Sequence, residues 1–421
     1  MNILLINPNR FMSPPVPPLG LEYLAGALEK EGHKSKILDL CFSEDIYKDI
    51  DEAVKSFSPD MAGISVRNVD SVLYQNNEFY LDEIRDIVRY LKFTCGVKVF
   101  VGGAGLMTNP EGVLAYLDAD YAFVGPAEED IQGFFEMMLN QASDKKIHFG
   151  KYISDFSCKR LISSIDYRKY YQNGGIAGFE THKGCSSSCV YCIEANSRVA
   201  FKRPEDVLRE IRGFVDAGYT HFHLCDSEFN EDLDFSLDVC EALKRSGMNI
   251  EWTVYMKPTN FNSKLFRLMK TTGVYLITLT VDSFKKCSMY WSDIEKFVFH
   301  SKSNGISLAI DFLTGFPYED ERVLTDCLEL FRRVQPDRVN INTYIRLYGS
   351  LQITKIIKKD RALLPYLLGA TDDTSLIKPV FYNHVDMERL KELIQGDAFF
   401  KIEGEDKGVN YSSFQKKELK R

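Results

Sequence analysis

The sequence lacks the features of a membrane, secreted or nucleic-acid-binding protein. Within its 421 residues no apolar run approaches the roughly 18 residues that span a bilayer, so we expect no membrane segment. The first eight residues contain no basic leader and no small-residue cleavage site, which predicts a cytoplasmic protein. Lys and Arg number 52 against 60 Asp and Glu, a formal net charge of -8, and no stretch carries a basic stripe. Nucleic acid is therefore not an expected partner.

A disulfide framework is also not expected, although the chain has ten cysteines. A reducing cytosol keeps thiols free and favours metal or redox roles for cysteine. Seven of the ten are scattered among residues of core type, where we predict small buried thiols: Cys41, Cys95, Cys158, Cys225, Cys240, Cys287 and Cys327. The other three lie close together in the sequence, and their spacing indicates chemistry.

Continuous apolar runs alternate with helical patterns along the first third of the chain. The run at residues 2–6 is followed by a proline-rich loop and then by apolar residues at helical spacing. The same alternation predicts strands at 35–40, 60–66, 97–101 and 120–124. Strands that are apolar on both faces indicate a parallel sheet covered by helices on each side. We therefore predict an α/β, doubly wound, Rossmann-like domain over residues 1–140, with its ligand at the carboxyl ends of the strands.

A second alternating series follows a polar connection, residues 141–174. Its strands are predicted near 176–182, 220–226, 249–256, 274–282, 306–313 and 337–345. Six βα units in residues 175–350 predict a partial (β/α)6 barrel of the TIM type, whose chemistry lies on the loops that follow the strands. Residues 351–421 are predicted to form a short mixed extension.

The loop after the first barrel strand contains the pattern C-x3-C-x2-C. Its cysteines are Cys185, Cys189 and Cys192, and Tyr191 stands just before the last. Structural zinc takes four ligands, and His182 is the one candidate nearby for the fourth. A 4Fe-4S cluster held by three cysteines keeps one iron open to a small molecule. Zinc and free thiols remain alternatives, but the spacing favours the cluster.

This motif, after the first strand of a six-unit βα series, resembles that of the radical S-adenosylmethionine (SAM) enzymes. The resemblance implies that the open iron binds the amino and carboxylate groups of SAM and that an electron from the cluster releases a 5′-deoxyadenosyl radical. It also implies a low-oxygen setting and a reducing partner such as flavodoxin or ferredoxin. The residues that it places around SAM are Tyr191, Asp226, Ser227, Glu228, Asp282 and Gly315.

Two features of the strand ends leave questions open. Relatives usually have a Glu-Ser pair where this chain has Asp282 and Ser283, so the likeness is weaker there. Lys257 and Arg346 also stand at strand ends, where each could meet a carboxylate or be solvated. The sequence does not decide between these alternatives.

The first domain resembles the cobalamin-binding domain that is fused to a large branch of this superfamily. The likeness rests on short proline- or glycine-bearing stretches at the start of the first helix and at the ends of the third, fourth and fifth strands. It implies cobalamin contacts from Pro18, Leu19, Gly20, Ser65, Arg67, Asn68, Gly102, Gly103, Gly105, Val124 and Gly125. No histidine lies between His33 and His148, so the D-x-H-x-x-G motif is missing. We therefore expect cobalamin without a histidine ligand, and Arg67 and Asn68 are candidates to face its lower side.

Together the resemblances predict a cobalamin-dependent radical SAM methyltransferase of the class B type. Such an enzyme moves a methyl group from methylcobalamin to an unactivated carbon of a small-molecule, peptide or protein substrate. The alternative is a radical SAM cyclase, or an oxidative or ring-rearranging enzyme, in which cobalamin carries electrons or is missing. A methylthiotransferase needs a second set of converging cysteines, which the sequence does not indicate. A corrinoid or iron-sulfur sensor, which is not an enzyme, would form no deoxyadenosine on reduction.

Overall fold

The structure is a computed structural model that describes residues 1–139, 144–151, 159–285 and 288–405. Among the scattered thiols, Cys41, Cys240 and Cys327 are buried as predicted, and Cys95 is half-buried. Cys158 and Cys287 lie outside the described residues. The prediction of burial was wrong for Cys225, whose side chain is exposed because it borders a cavity.

The N-terminal part is a six-stranded, wholly parallel sheet in the order 2-1-3-4-5-6. Its strands are β1 Asn2–Asn7, β2 Lys34–Asp39, β3 Met61–Ser65, β4 Lys98–Gly102, β5 Tyr121–Val124 and β6 Ile147–Phe149. Its helices are α1 Leu19–Lys30, α2 Ile46–Phe57, α3 Leu81–Arg89, α4 Pro110–Leu117 and α5 Ile131–Leu139. The strand order reverses at β1, so the loops after β1 and β3 diverge and leave a crevice at the carboxyl edge of the sheet.

Strand β1 shows why the apolar runs are continuous. Ile3 and Leu5 belong to the core on one face of the sheet, and Leu4 and Ile6 belong to the core on the other face. All four side chains are fully buried, because helices cover both faces. The alternation that a half-exposed strand would show is therefore missing, as predicted for a doubly wound domain.

The second part contains a seven-stranded, wholly parallel sheet, and six of its strands lie in the order 14-13-12-11-10-7. The strands between residues 175 and 342 are β7 Ala177–Phe179, β8 His182–Lys183, β9 Ala200–Phe201, β10 His221–Leu224, β11 Glu251–Met256, β12 Val274–Asp282, β13 Ser307–Leu313 and β14 Arg338–Asn342. Strands β8 and β9 pair with each other and not with this sheet. The helices are α6 Tyr167–Gln172, α7 Pro204–Asp216, α8 Leu233–Ser246, α9 Ser263–Thr271, α10 Ser288–Ser303 and α11 Glu321–Val334. The predicted α/β partial barrel is confirmed.

The C-terminal segment completes this sheet. Its elements are β15 Ile345–Arg346, α12 Gln352–Lys359, β16 Leu367–Gly369, β17 Val380–Tyr382, α13 Met387–Ile394 and β18 Phe400–Ile402. Strand β18 pairs in parallel with β14 and is the seventh strand of the barrel sheet. Strands β15, β17 and β16 form a small antiparallel sheet. The predicted strand 337–345 ends earlier than expected, at Asn342. The backbone N–H of Tyr344 donates a hydrogen bond to Asn342 Oδ1 at 3.2 Å, and this bond turns the chain.

Two buried ion pairs join the parts of the chain. Arg160 donates to Glu22 Oε2 from Nε at 2.9 Å and from Nη2 at 2.7 Å, and it also donates to the carbonyl of Gly178 in β7. Arg346 Nε donates to Asp70 Oδ2 at 2.8 Å, with 2% and 0% of the two side chains exposed. Arg346 therefore meets a carboxylate and is not solvated. In the part of the chain that the structure describes, no helix is long and apolar enough to cross a membrane.

Candidate active site

A cavity of about 420 Å³ lies between the loops of the two sheets. On the side of the first sheet it is lined by residues after β1, β3, β4 and β5. On the side of the barrel it is lined by residues 182–184 just before the three cysteines, by Glu194 just after them, and by the end of β10 with the residues that follow it. The crevice predicted at the edge of the first sheet therefore faces the predicted chemical loops of the barrel.

Eight of the eleven predicted cobalamin residues line this cavity: Pro18, Leu19, Gly20, Ser65, Arg67, Gly102, Gly103 and Gly125. Two of the glycines on this wall leave no room for a side chain. A Cβ at Gly63 would lie 2.3 Å from the ring of Phe100, and a Cβ at Gly103 would lie 2.7 Å from the carbonyl oxygen of Val66. The backbone is bare at these positions, which allows a large ligand such as a corrin to approach it closely.

The other three predicted cobalamin residues lie away from the cavity lining. Asn68 is exposed, and Val124 is buried in the core on one face of the sheet. Gly105 donates its N–H to the carbonyl of Val66 at 2.9 Å, so it shapes the turn after β4 and packs against the neighbouring loop. Of the pair proposed for the lower face of the corrin, the structure places Arg67, and not Asn68, at the cavity.

The barrel wall of the cavity carries His223, which lies in β10, and Cys225, which directly follows that strand. His223 Nδ1 lies 2.7 Å from Thr253 Oγ1 in the neighbouring strand. Burial, together with the positive charge of Arg67, lowers the pKa of His223 to about 4, although the negative charge of Asp226 opposes this shift. His223 is therefore neutral at physiological pH, and it lies across the cavity from the proposed corrin wall.

The loop of the three cysteines is held by its own backbone and by one carboxylate. Cys185 N donates to Ser197 Oγ at 2.8 Å, and Ser197 N donates back to the carbonyl of Cys185 at 3.0 Å. Glu231 accepts from Ser186 N at 2.8 Å and pairs with Lys257 Nζ at 2.5 Å. Lys257 therefore also meets a carboxylate, and that pair supports the loop that carries the thiols.

The donor set of this loop fits an iron-sulfur cluster. Three thiols lie in one short loop, and Cys185 is buried while Cys189 and Cys192 are half-buried. Among the residues with described positions, no group of three or more His, Cys, Asp or Glu has the geometry of a single-ion site. His182, the candidate for a fourth zinc ligand, turns its Nδ1 to Asp226 Oδ2 at 3.2 Å.

Asp226 and Ser227, both predicted to bind SAM, line the cavity. The Asp226 carboxylate accepts from the N–H of Thr181 at 2.7 Å, from the Thr181 hydroxyl and from the N–H of His182 at 3.3 Å. These bonds explain why the predicted strand 176–182 breaks before β8. Ser227 donates its hydroxyl to Glu194. Asp226 is thus engaged in holding the first barrel loop.

Tyr191, Asp282 and Glu228 lie together on the cluster side of the barrel. Tyr191 donates its hydroxyl to Asp282 Oδ2 at 3.1 Å, and Glu228 accepts from the Thr280 hydroxyl. Within the described residues, no hydrogen-bond partner reaches the buried Oε2 of Glu228. This unpartnered oxygen can accept a hydrogen bond from the amino group of SAM, whereas both oxygens of Asp226 already have partners within the protein.

Gly315 has a different setting from the other predicted SAM residues. Its φ is +88°, and a Cβ there would lie 2.9 Å from Val385 Cγ2. Its N–H donates to Glu319 Oε2 at 3.1 Å. The glycine therefore allows a tight turn under the C-terminal segment, and the adjacent Phe316 contacts Tyr191 with 5.5 Å between ring centroids.

The ionisation of Glu228 leads to a prediction about SAM binding. The pKa of Glu228 is raised to about 7, mainly because the carboxyl is buried and also because Glu231 is negative, while the bond from Thr280 and the charges of Lys257 and Lys285 oppose the shift. The carboxylate is ionised above about pH 7 and protonated below it. Each pH unit below that value should therefore weaken SAM binding by up to about tenfold, measured by equilibrium dialysis of the reconstituted protein.

The matched control for this prediction is Glu228→Gln, which keeps the shape and removes the titration. We expect this variant to bind SAM more weakly at pH 8 and to lose the part of the pH dependence that comes from Glu228. The titration of the SAM amino group itself remains in both proteins. Equal pH dependence in the two proteins would contradict the assignment of Glu228.

Several site residues were not predicted from the sequence, above all Glu231 and His223. Glu231 stands five residues after Asp226 on a short 3-10 turn, outside the motifs on which the predictions rest. His223 stands two residues before Cys225, in strand β10. His223 lies within a strand and not in the loop after it, where the chemistry of a barrel is expected, and Glu231 belongs to no motif.

Gly103 provides a test of the corrin wall. Gly103→Val should sharply reduce retained corrin, because the new side chain would push the loop of Val66 and Arg67. Gly218→Val is the control, since that glycine also has a positive φ, of +89° against +109°, but has open space around it. Both variants carry backbone strain of about 1–3 kcal/mol. The measurement is corrin absorbance after desalting, and equal losses would contradict the prediction.

Comparison with known families matches the two parts of this site. The family model described as the B12 binding domain matches residues 13–134, and the model described as the radical SAM superfamily matches residues 179–331. The chain is therefore an enzyme with a B12-binding domain followed by a radical SAM domain. This is the domain combination that the sequence predicted, and the predicted cofactors of the two domains, cobalamin, a 4Fe-4S cluster and SAM, are confirmed.

Individual relatives are distant in sequence and close in fold. The chain is 21% identical to tryptophan 2-C-methyltransferase from Streptomyces laurentii, over 84% of this chain and 74% of that protein. It is 23% identical to cytidylyl-2-hydroxyethylphosphonate methyltransferase from Streptomyces wedmorensis, over 63% of this chain and 61% of that protein. The structure of the methyltransferase TsrM from Kitasatospora setae, with cobalamin and a 4Fe-4S cluster bound, matches with a TM-score of 0.81, at 21% identity, over 91% of this chain and 87% of that chain.

Proposed function

We propose that the protein transfers a methyl group from SAM, by way of cobalamin, to a carbon atom of a small molecule or a peptide or protein segment. The observation that carries the proposal is the shared cavity. Its one wall consists of the B12-domain loops, and its other wall contains residues next to the cluster loop, Glu194 and Ser227 among them. Two relatives support the same reaction class, since one is named a tryptophan 2-C-methyltransferase and the other a methyltransferase of a cytidylyl phosphonate.

In this proposal Cys185, Cys189 and Cys192 would hold the cluster, which would supply the electron for the cleavage of SAM. Glu228 would accept a hydrogen bond from the SAM amino group, and Tyr191 and Asp282 would lie beside the remainder of SAM. The proposed corrin wall would hold cobalamin, which would supply the methyl group. We further propose that Arg67, which lines the cavity, faces the lower side of the corrin. Its positive charge there would disfavour coordination of an axial ligand.

The barrel interior supplies the proposed substrate side. Strand pairing places Thr280, Asp311 and Asn340 in one row across β12, β13 and β14. Asn340 donates to Asp311 Oδ1 at 2.6 Å, and its own Oδ1 is buried without a partner among the residues that could be described. This row and the neutral His223 are proposed to orient bound molecules in the barrel and to exclude water from the radical.

The test is a labelling experiment with methyl-deuterated SAM under strictly anaerobic conditions. The reconstituted protein should convert a candidate substrate to a product that carries the intact labelled methyl group, and 5′-deoxyadenosine should form alongside it. Retained cobalamin should show an absorbance spectrum without a nitrogen axial ligand. Deoxyadenosine and an oxidised or cyclised product without label would instead support the alternative radical reaction, and the methyl-transfer proposal would then be wrong.

A further inference from the structure

A basic helix packs directly against the loop that carries the cysteines. Helix α12 buries Ile353 and Ile357 in a small core that also contains Val190, which lies between the second and third cysteines. Ile353 N donates to the carbonyl of Val190 at 3.1 Å. The outer face of α12 is therefore separated from the cysteine loop by about one helix diameter, roughly 10 Å.

The outer face of this helix is strongly positive. Lys355, Lys358, Lys359 and, just beyond the helix, Arg361 are exposed. Within the described part of the chain, none of these four cations forms an ion pair with a carboxylate. Asp360, the carboxylate among them, is engaged by the Tyr318 hydroxyl at 2.5 Å and by the N–H of Ala362. The chain as a whole has a net charge of -8, so this positive surface contrasts with the rest.

Apolar side chains are exposed beside these cations. Tyr318 is 62% exposed, Phe284 is 47% exposed and Leu364 is 41% exposed. Phe284 contacts the buried Phe316 with 5.4 Å between centroids, and Phe316 contacts Tyr191 at 5.5 Å. A row of three rings thus leads from the surface to the cysteine loop. An apolar centre with a charged rim is the usual composition of a protein-docking surface.

We propose that this surface, which consists of the three lysines of α12, Arg361, Phe284, Tyr318 and Leu364, is the docking site of a small acidic electron-carrier protein. The partner follows from charge complementarity and from the position next to the cluster loop. On docking, one electron leaves the carrier and enters the cluster. The carrier is oxidised by one electron, the cluster is reduced by one electron, and no bond or proton needs to move.

The inference rests on the proposed cluster but not on the proposed methyl transfer, so the two can fail separately. An acidic carrier is repelled by the overall negative charge of the chain, and a local positive surface would select the one orientation that brings it to the cluster. Binding should therefore weaken as salt is added, because exposed charges are screened. Cluster reduction can be followed without any substrate, which keeps the test independent of the reaction catalysed.

The experiment uses the reconstituted protein and reduced flavodoxin as the probe. The variant Lys355→Glu/Lys358→Glu/Lys359→Glu reverses the surface, and Lys34→Glu/Lys48→Glu/Lys55→Glu makes the same change in net charge on exposed residues of the first domain. We expect the first variant to bind flavodoxin at least about tenfold more weakly and to be reduced correspondingly more slowly by it. Reduction by dithionite, which needs no docking, should be unchanged in both variants.

Three results would overturn the proposal. The first is equal weakening in the two variants, which would show a general charge effect. The second is unchanged flavodoxin binding in the α12 variant. The third concerns the milder variant Lys355→Gln/Lys358→Gln/Lys359→Gln, which is used if charge reversal disturbs the cluster loop. If dithionite and flavodoxin both reduce this variant as fast as the unmodified protein, the surface is not the docking site.

Discussion

Replacing Cys189 with alanine should leave the protein without its iron while corrin stays bound. Two thiols cannot hold the cluster that three hold, so we expect iron and sulfide to fall to background and deoxyadenosine formation to fall to the detection limit. The corrin wall is built from the first domain, so corrin retention should change little. Iron and corrin content after desalting, together with absorbance, measure the two parts separately.

The matched control is Cys95→Ala in the first domain. Cys95 is half-buried, and its Sγ lies 3.8 Å from Asp51 Oδ1, away from the cysteine motif. This variant should keep both iron and corrin. If Cys189→Ala retained the same iron as Cys95→Ala, the assignment of the cluster to this loop would be wrong.

Replacing Arg346 with methionine should destabilise the protein by about 3–5 kcal/mol, because Asp70 would remain buried without its partner. Asp70 also accepts from Val72 N at 2.8 Å, so it organises the loop that begins with Arg67. Corrin retention should therefore fall together with stability. Urea unfolding followed by circular dichroism gives the first quantity, and absorbance after desalting gives the second.

Two further variants separate the loss of the pair from the loss of the arginine. Arg346→Met with Asp70→Asn removes the unpaired charge and keeps the bond to Val72, so it should recover most of the stability. Arg333→Met breaks a pair with Glu295 that is largely exposed, at 62% and 43%, and should cost far less. Equal losses for Arg346→Met and Arg333→Met would contradict the buried-pair interpretation.

Long apolar runs made most of the fold predictable, whereas short strands escaped prediction. Strand β12 was predicted at 274–282 and occupies Val274–Asp282, because both of its faces are covered. Strands β6 and β18 have three residues each, too few to show a period, and their place at a sheet edge depends on pairing with β5 and β14. The C-terminal strand of the barrel sheet could therefore not be inferred from local pattern.

The site shows the same division between local and distant information. The cysteine motif was recognised because its residues are adjacent in the sequence. The roles of Lys257 and Arg346 stayed open because their carboxylates, Glu231 and Asp70, lie 26 and 276 residues away. Gly105 and Val124 were predicted to contact cobalamin, but neither lines the cavity. Sequence alone does not distinguish a glycine in a turn or a valine in a core from the same residue in a ligand-binding loop.

The two buried ion pairs that join the domains also govern how a large cofactor can enter. Glu22 with Arg160 and Asp70 with Arg346 each link the first sheet to later parts of the chain, and opening either pair exposes charges that were paired. The two walls of the cavity can therefore separate only if a buried pair opens, which is costly. We therefore expect cofactor exchange in the folded protein to be slow, so that the supply of cofactor while the chain is folding sets the fraction of complete enzyme.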